Sequence, residues 1–236
     1  MDGHSAPPVP LVVSVLGLKK SGKTTVASAL IAALRARGYR VAALKKTHLH
    51  LLSLDPRGTD SFRLTEAGAL FVAARSREET VTVHREPQPD DLEALLALVP
   101  PSMQIVVAEG VSGPRAQVVL CLKTAEGLEE TLRVRGLGTA GLLALSGVFA
   151  ADPQAAASLS AAAIPAPASA IAIPAPASAT AIPAPASAIA IPPAFNVLVA
   201  EQREALCERV LAAAPHLRPA AEPAGPLISD PSWSPK

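Results

Sequence analysis

At 236 residues, with Lys+Arg 21 against Asp+Glu 20 and a formal charge of +1, the chain is nearly neutral and long enough for one ordinary domain with tails. That balance lacks the basic stripe of a nucleic-acid scaffold and the polybasic cluster of a membrane anchor, so no nucleic-acid and no membrane partner is expected. Cys121 and Cys207 fall in different expected elements without metal-ligand spacing, which reads as buried thiols in a reducing compartment. Met1 to Pro10 has neither a basic n-region nor an apolar core, so the expected location is cytoplasmic.

Leu11 to Leu16 is a nearly continuous apolar run rich in β-branched residues, the pattern of a strand covered on both faces. The following helix starts within Gly22-Lys23-Thr24, carries Val26, Leu30 and Leu34 on one stripe, and stops at Gly38 after Arg35 and Arg37. Val41 to Leu44 is a second strand, completing a βαβ unit. Downstream come a short helix at Asp60 to Ala67, a strand at Leu70 to Ala74 and a possible one at Thr80 to Val83. Asp90-Asp91 opens a helix through Val99, with carboxylates at its favourable end. Strands follow at Ile105 to Ala108, Val118 to Leu122 and Leu142 to Leu145, and then a last strand at Phe195 to Val199 and a helix at Glu201 to Ala213. The alternation predicts an α/β fold of the P-loop NTPase type: a mostly parallel sheet flanked by helices.

Ahead of that last strand and helix the composition changes. From Pro153 to Ala200 there is no charged residue, and a nine-residue unit repeats as AIPAPASAI at Ala163 to Ile171, AIPAPASAT at Ala172 to Thr180 and AIPAPASAI at Ala181 to Ile189. Recurring proline removes backbone donors and obstructs helix, so the stretch is not a transmembrane span and reads as a disordered, polyproline-leaning insertion. The expected organisation is a disordered N-terminus at 1–10, a single nucleotide-binding domain at 11–150 and 194–214, a low-complexity insertion at 151–193 and a disordered Pro-rich tail at 215–236.

The octamer Gly17-Leu18-Lys19-Lys20-Ser21-Gly22-Lys23-Thr24 fits the phosphate-loop pattern in its required strand–loop–helix context. Glycines let backbone N–H groups close around a phosphate and the helix adds its positive end. Lys23 is expected to neutralise the β/γ-phosphates and the Thr24 hydroxyl to reach magnesium. An acidic partner for the metal belongs at the end of a neighbouring apolar strand, where Ile105 to Ala108 is followed by Glu109. Asp60 is a further candidate, either at magnesium or its water shell or as the cap of its own short helix. Lys45 to His48 also follows a strand, and His48 with His50 offers a weak transition-metal reading.

These pieces, in this order, resemble the MobB family of molybdopterin-guanine dinucleotide biosynthesis adapter proteins. The resemblance is carried by Gly17 to Thr25, Gly38 to Val41, Lys45 to His48, Gly58-Thr59-Asp60-Ser61 with Arg63, Glu66-Ala67-Gly68-Ala69, and Val106 to Gly110. It implies a binding site for GTP with Mg2+ through Gly17, Lys19, Lys20, Ser21, Gly22, Lys23, Thr24 and Thr25, with Glu109 and Asp60 serving any weak hydrolysis. It also implies a homodimer working beside the molybdenum cofactor guanylyltransferase. No Asn/Thr-Lys-x-Asp guanine motif occurs, so the choice of GTP over ATP comes from the resemblance. Two other readings stay open: a P-loop kinase of a small metabolite, with Arg57, Arg63 and Arg75 as lid candidates, and a nucleotide-gated metallochaperone using His48 and His50.

Overall fold

The computed structural model describes residues 9–47, 58–77, 80–85, 89–137, 142–161 and 192–220. The repeats at 163–189, His48, His50 and Arg57 lie outside the described residues. The chain forms two compact units: Met1–Lys45 with Val99–Lys236, and Lys46–Leu98.

The first unit begins with β1 (Leu11–Gly17), whose burial is continuous from Val12 onward, as its nearly continuous apolar run requires. Next come α1 (Lys23–Ala36) and β2 (Val41–Lys45). The α1 stripe Val26, Leu30 and Leu34 is buried as the spacing predicts. Its end is a Schellman turn: Gly38 at φ 83 lets Tyr39 N–H reach Leu34 O and Gly38 N–H reach Arg35 O.

The second unit holds α2 (Asp60–Glu66), β3 (Phe71–Arg75), β4 (Thr80–His84) and α3 (Leu92–Leu96). β3 and β4 pair antiparallel as a separate two-stranded sheet, Phe71 opposite His84 with their rings edge to face. The carboxylates expected to open the third helix divide their work. Asp91 caps it, accepting from Ala94 N–H at 2.8 Å, while Asp90 pairs with Lys46 at 2.8 Å.

The first unit resumes with β5 (Ile105–Glu109), β6 (Gln117–Leu122), α4 (Leu128–Arg135) and β7 (Leu142–Gly147). These strands join β1 and β2 in one parallel sheet of order β2-β5-β1-β6-β7. One face buries Val13, Val15, Ile105, Val107 and Val119 against α1; the other buries Leu120, Leu122 and Leu145 against Leu128 and Phe149. Each fully buried leucine contributes on the order of 2 kcal/mol.

Three boundaries differ from expectation. The stretch assigned to low complexity from residue 151 opens with α5 (Pro153–Ala161). Pro153 occupies the first helical position and Asp152 caps it, accepting from Gln154 N–H at 2.9 Å, and Ala155 and Ala156 pack on the core. The expected strand at Phe195 to Val199 is a turn instead. Only Ala194 bridges to Leu145, and the Asn196 side chain accepts from Leu198 N–H at 3.0 Å, bending the chain into α6 (Ala200–Ala212). Helix α6 buries Leu206, Cys207 and Val210 in the same core as α1. Finally, of the tail expected at 215–236, the described residues 215–220 pack on the fold. Leu217 is buried, Ala220 N–H donates to Gly38 O at 3.0 Å, and Arg218 O accepts from the Gln104 amide at 2.6 Å.

Candidate functional site

In a sheet whose strands all run one way, their carboxyl ends share an edge. Gly17 of β1, Lys45 of β2, Glu109 of β5 and Gly147 of β7 are such last residues. The loop Gly17 to Gly22 leaves β1 at this edge and turns into α1. Gly17, at φ 151, lies so close to β6 that a Cβ there would collide with the Cys121 carbonyl and the Ser21 hydroxyl. Gly22, left-handed at φ 88, opens α1 without a side-chain cap, and no acidic residue stands in the helix's first turn. A helix start of this kind presents N–H groups and a positive dipole end to an anion. Lys20 adopts φ 62, the single positive φ at a non-glycine position among the described residues.

Lys23 folds back on the loop, donating from Nζ to Leu18 O at 2.6 Å. Burial lowers its pKa, the positive charges of Arg135 and Lys45 lower it further, and Cys121 and Glu109 act in the other direction. The Thr24 hydroxyl donates to Glu109, its Oγ1 at 3.0 Å from each carboxylate oxygen. Lys45, the register partner of Glu109 in the β2–β5 pairing, donates to the same oxygens at 3.1 and 3.2 Å. Loop hydroxyl and strand-end acid are thus one connected cluster, in which Lys45 pairs with the carboxylate of Glu109 and Lys23 feels the charges of both Glu109 and Arg135. Lys19, Lys20, Thr24 and Thr25 are exposed, and Ser21 is buried with its hydroxyl unpartnered among the described residues.

The remaining acidic candidate belongs to the second unit. Asp60 is the first residue of α2 and its side chain is fully exposed, 3.7 Å from Arg63. The capping role considered for it is filled by Thr59, whose Oγ1 accepts from Phe62 N–H at 3.2 Å. Among the described residues no group of His, Cys, Asp and Glu side chains forms a metal cluster. Both cysteines are buried, with burial pushing the Cys121 thiol up to about 12.

Two residues around the loop were not among the sequence candidates. Arg135, at the end of α4, donates from Nη2 to Gly17 O. Gly147, at φ 103, lies against the far side of the loop, where Val148 N–H donates to Ser21 O at 3.3 Å and a Cβ on Gly147 would strike Ser21 O. A glycine closing an apolar strand was a visible signal for the second. Arg135 sits in a charged helix that reads as a solvated surface, 118 positions from its partner.

The profile of the family described as Molybdopterin guanine dinucleotide synthesis protein B, MobB, matches residues 12–136, more than half of the chain. The chain belongs to the MobB family. A molybdopterin-guanine dinucleotide biosynthesis adapter protein from Haemophilus influenzae is 37% identical over 87 residues, 37% of this chain and 48% of that protein. One of the same description from Escherichia coli is 37% identical over 93 residues, 38% of this chain and 53% of that protein. The chain thus spans about half the length of the curated relatives it matches. The solved structure of Bacillus subtilis MobB covers 84% of this chain and 96% of its own with a TM-score of 0.50 at 17% identity, a likeness of fold. The MobB match supports the expected P-loop NTPase-like architecture, a mostly parallel sheet flanked by helices. Among the described residues no helix is long and apolar enough to cross a membrane.

Proposed function

We propose that this MobB-family chain binds GTP with magnesium at the Gly17 to Thr25 loop and acts as a cytoplasmic accessory protein in molybdopterin-guanine dinucleotide biosynthesis. The observation that carries the reading is the Thr24–Glu109 pair. Two adjacent ligands of an octahedral magnesium ion bound at ~2.0–2.1 Å stand about 2.9 Å apart. The Thr24 hydroxyl and the Glu109 carboxylate oxygens stand 3.0 Å apart beside a phosphate-type loop, so the donor set fits that ion.

In this reading Lys23 exchanges the Leu18 carbonyl for the phosphate oxygens, a stronger partner because both groups are charged. The uncapped start of α1 supplies N–H groups to the β-phosphate. Magnesium, when bound, shields the negative charge that the β- and γ-phosphates share. Thr24 and Glu109 would hold the ion, with Glu109 oriented by Thr24 on one side and Lys45 on the other.

The base choice, a homodimeric state and a partnership with the molybdenum cofactor guanylyltransferase are carried by the family, whose curated members are described as adapters. An adapter needs little turnover, so hydrolysis is expected to run far below the ~1–10³ per second of ordinary enzymes.

Titration calorimetry with GTP and Mg2+ tests the site. Wild type is expected to prefer GTP over ATP, and Lys23→Ala to lose at least about tenfold in affinity, roughly 1.4 kcal/mol. Retention of wild-type affinity by Lys23→Ala would remove the loop assignment. Equal displacement by ATP, or fast turnover with an added metabolite, would favour a small-molecule kinase. Affinity capture from the native cytosol with GTP present addresses the guanylyltransferase, and light scattering the dimer.

A further inference from the structure

The loop's first carbonyl groups are each held by a cation, and the cations differ in kind. Leu18 O accepts from Lys23 Nζ at 2.6 Å and also from Ser21 N–H at 3.3 Å. Gly17 O accepts from Arg135. Lys23 lies inside the phosphate-loop motif and is free to leave once an anion enters. Arg135 belongs to a different element, and that element is firmly seated. Helix α4 buries Leu128 in the core, Thr131 donates to Gly127 O at 2.7 Å, and Gly136 at φ 61 closes the helix with Leu137 N–H on Leu132 O at 2.9 Å. The carbonyl ends of a helix also favour a cation in its last turn.

We infer that Arg135 is a positioning residue of the phosphate loop: by holding the Gly17 carbonyl toward α4 it fixes the course on which the loop leaves β1. A trans peptide is planar, with its C=O and N–H pointing opposite ways. Fixing Gly17 O therefore constrains the whole peptide with which the loop begins. Gly17 is still in register with Cys121 of β6, so the ladder holds the strand side of this peptide while Arg135 holds it from α4.

Stability alone does not account for Arg135. Its Nε is buried without a partner among the described residues, which is unfavourable for a charged group. An apolar side chain of similar length would remove that penalty. A residue kept only to prop up the fold should lower stability when replaced. A residue kept to aim a loop should release the loop and leave stability unchanged or higher.

The full-length protein, Arg135→Met and Arg135→Lys separate these roles. In the absence of nucleotide, amide hydrogen exchange at Leu18 to Gly22 is expected to quicken about tenfold in Arg135→Met, with β1 and β5 unchanged and the urea midpoint no lower than wild type. Arg135→Lys should give an intermediate rate, because the charge survives while the planar reach does not. Resting on the nucleotide reading above, GTP–Mg2+ affinity should fall about tenfold in Arg135→Met. Unchanged exchange in the loop, or faster exchange throughout with a lower midpoint, would overturn the inference. If wild type binds no nucleoside triphosphate yet Arg135→Met still frees the loop, the positioning role stands and the nucleotide reading fails. If Arg135→Met is insoluble, loop exchange and midpoint in Arg135→Lys decide.

Discussion

The two compact units differ in how deeply they bury their strands. In the first, β1 and β5 are buried along nearly their whole length and sandwiched between apolar layers. In the second, β3 has a single buried residue, Val72, β4 alternates between half-buried and exposed positions, and α2 buries nothing. Leu64, Leu70 and Phe71 are each more than half exposed. What holds α2 is local: the Thr59 cap, and a Schellman closure in which Ala69 N–H reaches Leu64 O around Gly68. A site that must hold charges in fixed places is built on the rigid unit. Thr24 and Glu109 stand on α1 and β5, which are anchored in the core, with Lys45 beside them on the edge strand β2, whereas Asp60 stands on a helix with no buried anchor.

If this contrast is right, the largest effect in the molecule should come from Gly17→Ala. The new methyl would enter the Cys121 carbonyl and the Ser21 hydroxyl, and φ 151 is strained for any residue with a Cβ. The expected loss is ~4 kcal/mol or more in denaturant unfolding, together with nucleotide binding. Next comes a matched pair of leucines. Leu34→Ala, in the α1 core at 0% exposure, should cost about 3 kcal/mol, whereas Leu64→Ala, 57% exposed on α2, should stay within about 0.5 kcal/mol. Equal costs for the two leucines would break the contrast between the units.

The same contrast explains what was legible in the sequence. A strand buried on both faces writes itself as a nearly continuous apolar run, so Leu11 to Leu16 and Ile105 to Ala108 were readable, and a lone acid after such a run marked Glu109. The run at Leu70 to Ala74 looked similar but became a hairpin strand, because short apolar stretches do not reveal their pairing partner. Local turn chemistry outweighed apolar content at Phe195 to Val199, where Asn196 and the prolines before it withhold a ladder. At α5 the reverse error occurred. Alanine-rich composition suggested disorder although Asp152-Pro153 is a sound helix start. Arg135 was unreadable in principle, since its meaning lies in a carbonyl that only the folded sheet brings near.

Smaller effects sharpen the comparison within the second unit. Thr59→Ala removes the α2 cap and should cost about 1 kcal/mol. Because the interaction is local, hydrogen exchange should quicken at Ser61 to Glu66 and stay unchanged at Val12 to Val15. Exchange that quickened equally in β1 would mean that the cap supports more than its own helix.

The smallest expected change is also the one with the opposite sign. Lys20 sits in the rigid unit's loop at φ 62, where a side chain costs roughly 1–2 kcal/mol because its Cβ crowds the next carbonyl. Glycine relieves that crowding but loses more backbone entropy on folding, roughly 0.5–1 kcal/mol. The balance favours Lys20→Gly by about 0.5 kcal/mol, readable as a small rise in the urea midpoint. A lysine retained against that balance has a use at the exposed apex of a loop that we assign to phosphate. Lys20→Gly is therefore expected to be slightly more stable and to bind triphosphate more weakly, the two changes running in opposite directions. Lys20→Asn provides the control, since asparagine tolerates the left-handed region without supplying a charge. If Lys20→Gly and Lys20→Asn both bind triphosphate as tightly as wild type, the strain at this position serves no ligand and Lys20 is incidental to the site.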